Sequence, residues 1–378
     1  MDIGTTEPQV APALSRYEVA AAAGQDLDRL LAGKDRSVIM RAMTEGGAVL
    51  ARRLLDEGRL DGVLGMGGGS GTGVIASIMR QLPFGIPKVM VSTVASRDVR
   101  EYVGTKDIVM FHSVADLLGV NDFMRRLLGQ AAAAVCAMME QAEAPRRAKP
   151  MIAVSAYGIN SRCALHAEPL INAKGYEMIG FHANGCGGMA MEEMIGEGLI
   201  AGVLDFTPHE IADEMFGGYC RGIGPDRLET AGRMGVPLVF APGGLDNAVF
   251  SPFYPMPPEL AGRRTHVHDI RYCVRMEAPE MEAFAGIVAE RLNKSAAPVH
   301  VLVPLKGWSE ADREGSALFD PGADRVFVDR LKALLTPAIS IEEMDVHISD
   351  RAFAERAVNV LHAMIESGRK PMQSAAGG

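Results

Sequence analysis

Six glycines fall within nine residues, Gly65-Met-Gly-Gly-Gly-Ser-Gly-Thr-Gly73, between the apolar run Gly62 to Leu64 and a stretch with apolar residues at 74, 75, 78, 79 and 82. The spacing predicts a buried strand, a turn and a helix. Backbone amides without side chains at a helix start, where the peptide dipoles leave partial positive charge, are suited to hold an anion such as phosphate. No lysine lies between Gly62 and Pro87, which excludes the P-loop. The dinucleotide fingerprint fails in every register. Its looser form, Gly71 to Ala76, falls inside the predicted helix, and the next strand runs into Ser92-Thr93-Val94-Ala95-Ser96 instead of an acid for a ribose. Tight packing of helix on sheet accounts for one or two of the glycines; an anion cradle accounts for more. The candidate contacts are Gly67, Gly68, Gly69, Ser70, Gly71 and Thr72, with Ser92, Thr93 and Ser96 at the neighbouring strand end. A side chain at Gly69 or Gly71 is expected to block the ligand and to strain a left-handed turn.

Polar groups end several later strands. Asn184, Gly185, Gly187 and Gly188 make a second glycine loop, read either as an ordinary turn or as a second anion cradle. In Asp205-Phe-Thr-Pro-His-Glu210, Thr207, Pro208 and Glu210 have the pattern of a capping box, which leaves Asp205 and His209 open to function. His266 and His268, two apart on a strand, would share a face. With Asp246 or Asp205 they would bind a divalent metal or form an acid–base pair; a hydrogen-bonded surface pair is the alternative. Lys306, at a further strand end, is read as a phosphate or carboxylate ligand or as a solvated lysine.

The elements that must position these residues alternate strand and helix. Strands are predicted at 88–91 and 108–112, and in the second half at 151–154, 177–181, 199–204, 237–240, 299–303 and 343–348. Helices are predicted at 16–31, 38–55, 129–141 and 351–365. Gly46 and Gly47 inside the second helix demand a closely packed backbone. Alternation of this kind favours an α/β fold with mainly parallel sheets and ligands at the carboxyl ends of the strands. A polar, proline-bounded connector at 142–150 separates domains at 1–148 and 149–370, and 371–378 reads as a disordered tail. The 378 residues suffice for two cores. A net charge of -9 and a pI near 5.6 argue against nucleic-acid or anionic-membrane partners. Five scattered cysteines without a C-x-x-C pair read as reduced thiols, and with no apolar run of roughly 18 residues the chain is expected to be cytoplasmic.

Taken together the motifs resemble the family of the tomato mosaic virus resistance protein's amino-terminal domain and its bacterial relatives. The residues that carry the resemblance are Gly67 to Thr72, Gly85 to Ser96, Tyr102 to Asp107, Phe181 to Gly185, Gly187-Gly188, Met191-Glu192, Gly244-Leu245-Asp246, His266-Val267-His268, Asp320-Pro321 and His347 to Asp350. The resemblance implies two Rossmann-like domains with a cleft between them, ATP bound with magnesium, and a homodimer. An enzyme using ATP on a small-molecule substrate, a non-catalytic nucleotide-sensing or protein-binding module, and a metal-dependent hydrolase or isomerase around Asp246, His266 and His268 are the readings it leaves open. Relatives open with a strand and a Gly-Thr-x-Asp-Thr-Lys-Gly turn. Met1-Asp2-Ile3-Gly4 reads as the end of such a strand, so the chain is expected to be less stable than a form extended upstream.

Overall fold

The computed structural model describes residues 1–4, 8, 10–141 and 149–369. The chain divides into two compact units, Met1–Arg146 and Arg147–Gly378, each built on parallel strands. Most of the predicted connector and the predicted tail, 142–148 and 371–378, lie outside the described residues.

In the first unit β1 (Val63–Gly67), β2 (Lys88–Ser92) and β3 (Ile108–His112) pair in parallel in that order. All five residues of the central β2 are buried. Lys88 opens that strand fully buried, its ammonium donating to Asp107 and to the carbonyls of Pro83 and Ile86. The helix Gly69–Arg80 packs Val74 and Ile78 against Ala51 of the helix Arg36–Asp56. Gly46 is where that long helix meets its neighbour Arg16–Ala22, since a Cβ there would lie 1.8 Å from the Val19 carbonyl oxygen. The single helix predicted over 16–31 is two, Arg16–Ala22 and Leu27–Gly33, because Gly24 between them takes a φ of +71°. Met1–Gly4 is not a strand, and Asp2 instead accepts from the buried Arg16 guanidinium at 3.0 Å.

In the second unit β4 (Met151–Ala156), β5 (Glu177–His182), β6 (Ile200–Asp205) and β7 (Leu238–Phe240) precede an excursion of three short strands. These, β8 (Asn247–Phe250), β9 (Thr265–Val267) and β10 (Tyr272–Arg275), pair antiparallel; the sequence reading places His266 on a strand, as β9 does, and contains neither β8 nor β10. β11 (Val299–Pro304) and β12 (Ser340–Met344) complete a six-stranded parallel sheet of order β12-β11-β7-β6-β4-β5. β12 lies a few residues before its predicted position at 343–348. Strand residues alternate between faces. Ala153, Val203, Val301 and Val303 pack with helices Cys186–Gly196, Ala278–Leu292 and Pro321–Leu334 on one side. Ile152, Val154, Leu204 and Leu302 pack with helices Ser161–Ala173 and Arg351–Arg369 on the other. The sheet is thus doubly wound, and its strand order reverses at β4, between β5 and β6, which is where such sheets open a crevice for ligands. No helix among the described residues is long and apolar enough to cross a membrane.

Candidate functional site

The first unit supplies one candidate site at the start of the helix Gly69–Arg80. Gly68 is its N-cap and has no side chain to satisfy the first-turn amides. The first bond of the ladder runs from the Thr72 amide to the Gly68 carbonyl at 2.7 Å, so the amides of Gly69, Ser70 and Gly71 precede it. Packing requires glycine at 67, where a Cβ would lie 2.9 Å from the Gly71 backbone. It does not require glycine at 68, 69, 71 or 73, where the nearest atoms to a Cβ are 3.7, 3.8, 4.0 and 4.0 Å away. None of these positions is left-handed, which corrects the expected strain at Gly69 and Gly71.

Two of the predicted hydroxyl ligands are also corrected. Thr72 and Ser92 are fully buried and share a 2.7 Å hydrogen bond, and Ser92 Oγ accepts from the Val94 amide, so both hydroxyls are spent on fastening the helix to β2. Thr93 lies beside Gly68, and Ser96 is exposed. Ser70 and Gly71 line a cavity of about 470 Å³ with Met66, Met40 and two cations, Lys34 and Arg36. The Arg36 guanidinium donates to Ser70 Oγ at 3.2 Å. These cations escaped the sequence reading, which looked for a lysine inside the loop. None of the described residues lining the cavity is a carboxylate.

In the second unit the residues at the switch point are heavily paired. Arg227, fully buried, donates to both oxygens of Asp205 and, at 2.8 Å, to Glu210, and lies 3.6 Å from Glu192. Asp205 also accepts from Ser155 Oγ at 2.6 Å. Asp205 is therefore the counter-ion of a buried arginine, not a free acid. Burial pushes the carboxyls of Glu210 and Glu192 upward, against the pull of Arg227. The capping box is corrected as well: the helix Glu210–Phe216 has His209 as its N-cap, and Thr207 Oγ1 donates to Asn160 and to the Ser155 carbonyl instead.

Glu210 reaches across to the second glycine loop, its Oε1 accepting from the amides of Gly185 at 2.6 Å and Gly188 at 3.2 Å. The Gly187 amide donates to Asn184 Oδ1. Asn184, Gly185, Gly187 and Gly188 thus form an anion cradle filled by the chain's own carboxylate. Lys306 is exposed and paired with Asp345 at 3.0 Å, the solvated alternative.

Asp246 is fully buried and accepts from Asn247 and Ser309, each at 2.8 Å. It belongs to a second buried network in which Arg275 pairs with Asp324 and lies 3.4 Å from Asp312. Burial first, and then the charges of Asp246 and Asp324, raise the Asp312 carboxyl well above the usual range. His266 is half-buried in β9, and His268 is exposed just beyond it. Among the described residues neither histidine joins Asp246 or Asp205 in a group able to share a metal ion. His268 does reach a cavity of about 140 Å³ bounded by Tyr157, His182, Arg271 and Cys273 at the ends of β4 and β5. His209 lies beneath Tyr157, ring centroids 4.4 Å apart, and Tyr157 also stacks on His182 at 5.1 Å. Burial drives the His209 imidazole down to about 3, so the ring is neutral.

Comparison with known proteins gives matches to both units. Residues 1–144 match the N-terminal domain of the uncharacterised protein family UPF0261, and residues 149–365 match its C-terminal domain. A UPF0261 protein of Clostridium tetani is 36% identical over 97% of this chain and 91% of its own length. One from Rhizobium meliloti is 37% identical over 95% of this chain and 89% of its own. The ToMV resistance protein Tm-1(GCR237) of Solanum lycopersicum is 36% identical over 80% of this chain, which spans 41% of the tomato protein.

Proposed function

The chain belongs to the uncharacterised protein family UPF0261, which counts the tomato Tm-1 proteins among its relatives, and on that footing we propose that its first unit binds ATP. The observation that carries the reading is the set of glycines at 69, 71 and 73, all inside the helix Gly69–Arg80. Glycine in a helix costs up to about 1 kcal/mol relative to alanine, and here neither packing nor a positive φ demands it. An outside group that must approach the backbone supplies the reason. Lys34 and Arg36 add the positive charge that the loop lacks, and the apolar wall of Ile39, Met40 and Met66 suits a base or ribose. Magnesium would travel with the nucleotide, held by phosphate oxygens and water, since the cavity's described residues offer it no carboxylate. A homodimer, and an enzyme using ATP on a small molecule, belong to the same proposal; ADP or another product appearing on incubation with ATP separates that enzyme from a nucleotide sensor.

Calorimetric titration of ATP into wild type, Gly71→Ala and Gly71→Asp tests the site. An acid in the first turn of a helix favours folding, so Gly71→Asp leaves the helix intact while placing like charge beside the phosphates. It is expected to weaken ATP binding at least about tenfold, and by far more than Gly71→Ala. ATP bound equally well by wild type and Gly71→Asp would overturn the assignment.

A further inference from the structure

His209, Asp213 and Cys220 bring a nitrogen, an oxygen and a sulfur within 4.8 Å of one another, all three residues buried. The sequence produces this arrangement locally. His209 has helical dihedrals, φ -52° and ψ -25°, so Asp213 follows one turn later on the same face. Gly217 ends the helix in the left-handed region, and Gly218, where a Cβ would lie 2.7 Å from Asp213 Cγ, lets the chain fold back to present Cys220. Gly244, at φ +75°, makes room for His209, since a Cβ there would lie 2.5 Å from the histidine Cβ. Asp213 is held from behind by the amides of Val249 and Cys220, each at 2.7 Å, in the manner of a carboxylate oriented as a metal ligand.

The independent observation is His209 itself. Its side chain is fully buried, yet neither ring nitrogen has a hydrogen-bond partner. A buried imidazole whose ring nitrogens both lack a hydrogen-bond partner is costly and calls for an explanation. We propose that His209, Asp213 and Cys220 are the ligands of a transition-metal ion of the zinc class, at the carboxyl ends of β4 and β6. A thiol, an imidazole and a single carboxylate suit zinc or cobalt; magnesium and calcium prefer oxygen alone. Bonds of about 2.0–2.3 Å around a tetrahedral ion put neighbouring ligand atoms roughly 3.5 Å apart, and rotation of the imidazole and the thiol closes the difference. On binding, the Cys220 thiol gives its proton to solvent and coordinates as thiolate, and the neutral imidazole coordinates through a ring lone pair; no electron is transferred. Three protein ligands leave a fourth position for water or a substrate atom. This site is independent of the nucleotide reading.

The test is titration of the chelator-treated full chain with cobalt(II). One equivalent is expected to give a thiolate-to-cobalt charge-transfer band and the strong visible bands of a tetrahedral ion, both abolished by zinc. Cys220→Ser should remove the charge-transfer band, His209→Gln should weaken binding at least tenfold, and Cys136→Ser, an exposed cysteine of the first unit, should change neither. Weak octahedral bands alone in wild type, or a charge-transfer band that survives in folded Cys220→Ser, would overturn the site. Should Cys220→Ser not fold, X-ray absorption of the zinc-loaded wild type decides: one sulfur in the coordination shell supports the site, and a shell of nitrogen and oxygen only refutes it.

Discussion

Arg275 pairs with Asp324 and lies 3.4 Å from Asp312, with the charge of Asp246 acting on both carboxyls, and that cluster sets a pH dependence. Asp312 is fully buried and raised from its ordinary 3.8 by burial and by the charges of Asp246 and Asp324. A carboxyl whose folded pKa lies above its unfolded value contributes stability that is fully present below the unfolded value and lost as pH rises towards the folded one. The loss is about 1.4 kcal/mol for each pH unit over which only the unfolded chain has given up that proton. Urea denaturation between pH 5 and pH 8 is therefore expected to show wild type losing stability more steeply than Asp312→Asn, whose amide does not titrate. Parallel slopes for the two proteins would show that Asp312 is ionised in the fold.

Between elements, Glu210 does what no single helix can do for itself. From the start of one helix it satisfies amides at the start of another, Cys186–Gly196, and pairs with an arginine on a distant loop. Glu210→Ala leaves two amides and part of a buried guanidinium unpaired. Breaking a buried pair from one side costs about 3–5 kcal/mol, and chemical denaturation should find a loss of that size. Glu210→Gln, whose carbonyl oxygen can take the place of Oε1 and still accept from both loop amides, should lose less.

The parallel strands and most helices are legible in the sequence because their apolar periodicity is local. β8 and β10 are not, being only four residues long each. Pairings such as Arg227 with Asp205, or Arg36 with Ser70, join segments whose separation carries no signal, so Asp205 reads as a free acid and the glycine loop as lacking cations. His209 and Asp213 are the exception. Their spacing of four on a helix is visible, but the scatter of the cysteines hides Cys220 as their companion.

At the scale of the whole molecule, the chain divides into the two compact units Met1–Arg146 and Arg147–Gly378. The only tryptophan, Trp308, belongs to the second unit, buried edge-on against Phe327 with its indole N–H donating to the Pro304 carbonyl. Its fluorescence therefore reports the unfolding of that unit, whereas circular dichroism reports both. A ligand at about 100 times its dissociation constant stabilises the unit that holds it by about 2.7 kcal/mol. ATP is expected to raise the melting of the dichroism component that Trp308 does not follow, and zinc the component that it does. An ATP-induced shift confined to the Trp308 signal would place the nucleotide in the second unit.

The glycines at the start of Gly69–Arg80 have a consequence in time as well as in energy. A helix whose first turns are built from glycine opens and recloses more readily at that end than one built from alanine. If the first unit binds ATP as proposed, a phosphate settling on those amides would hold that end of the helix closed. Recognition at this end of the first unit would be felt chiefly as a slowing of departure, with the ligand completing a helix that the sequence leaves unfinished.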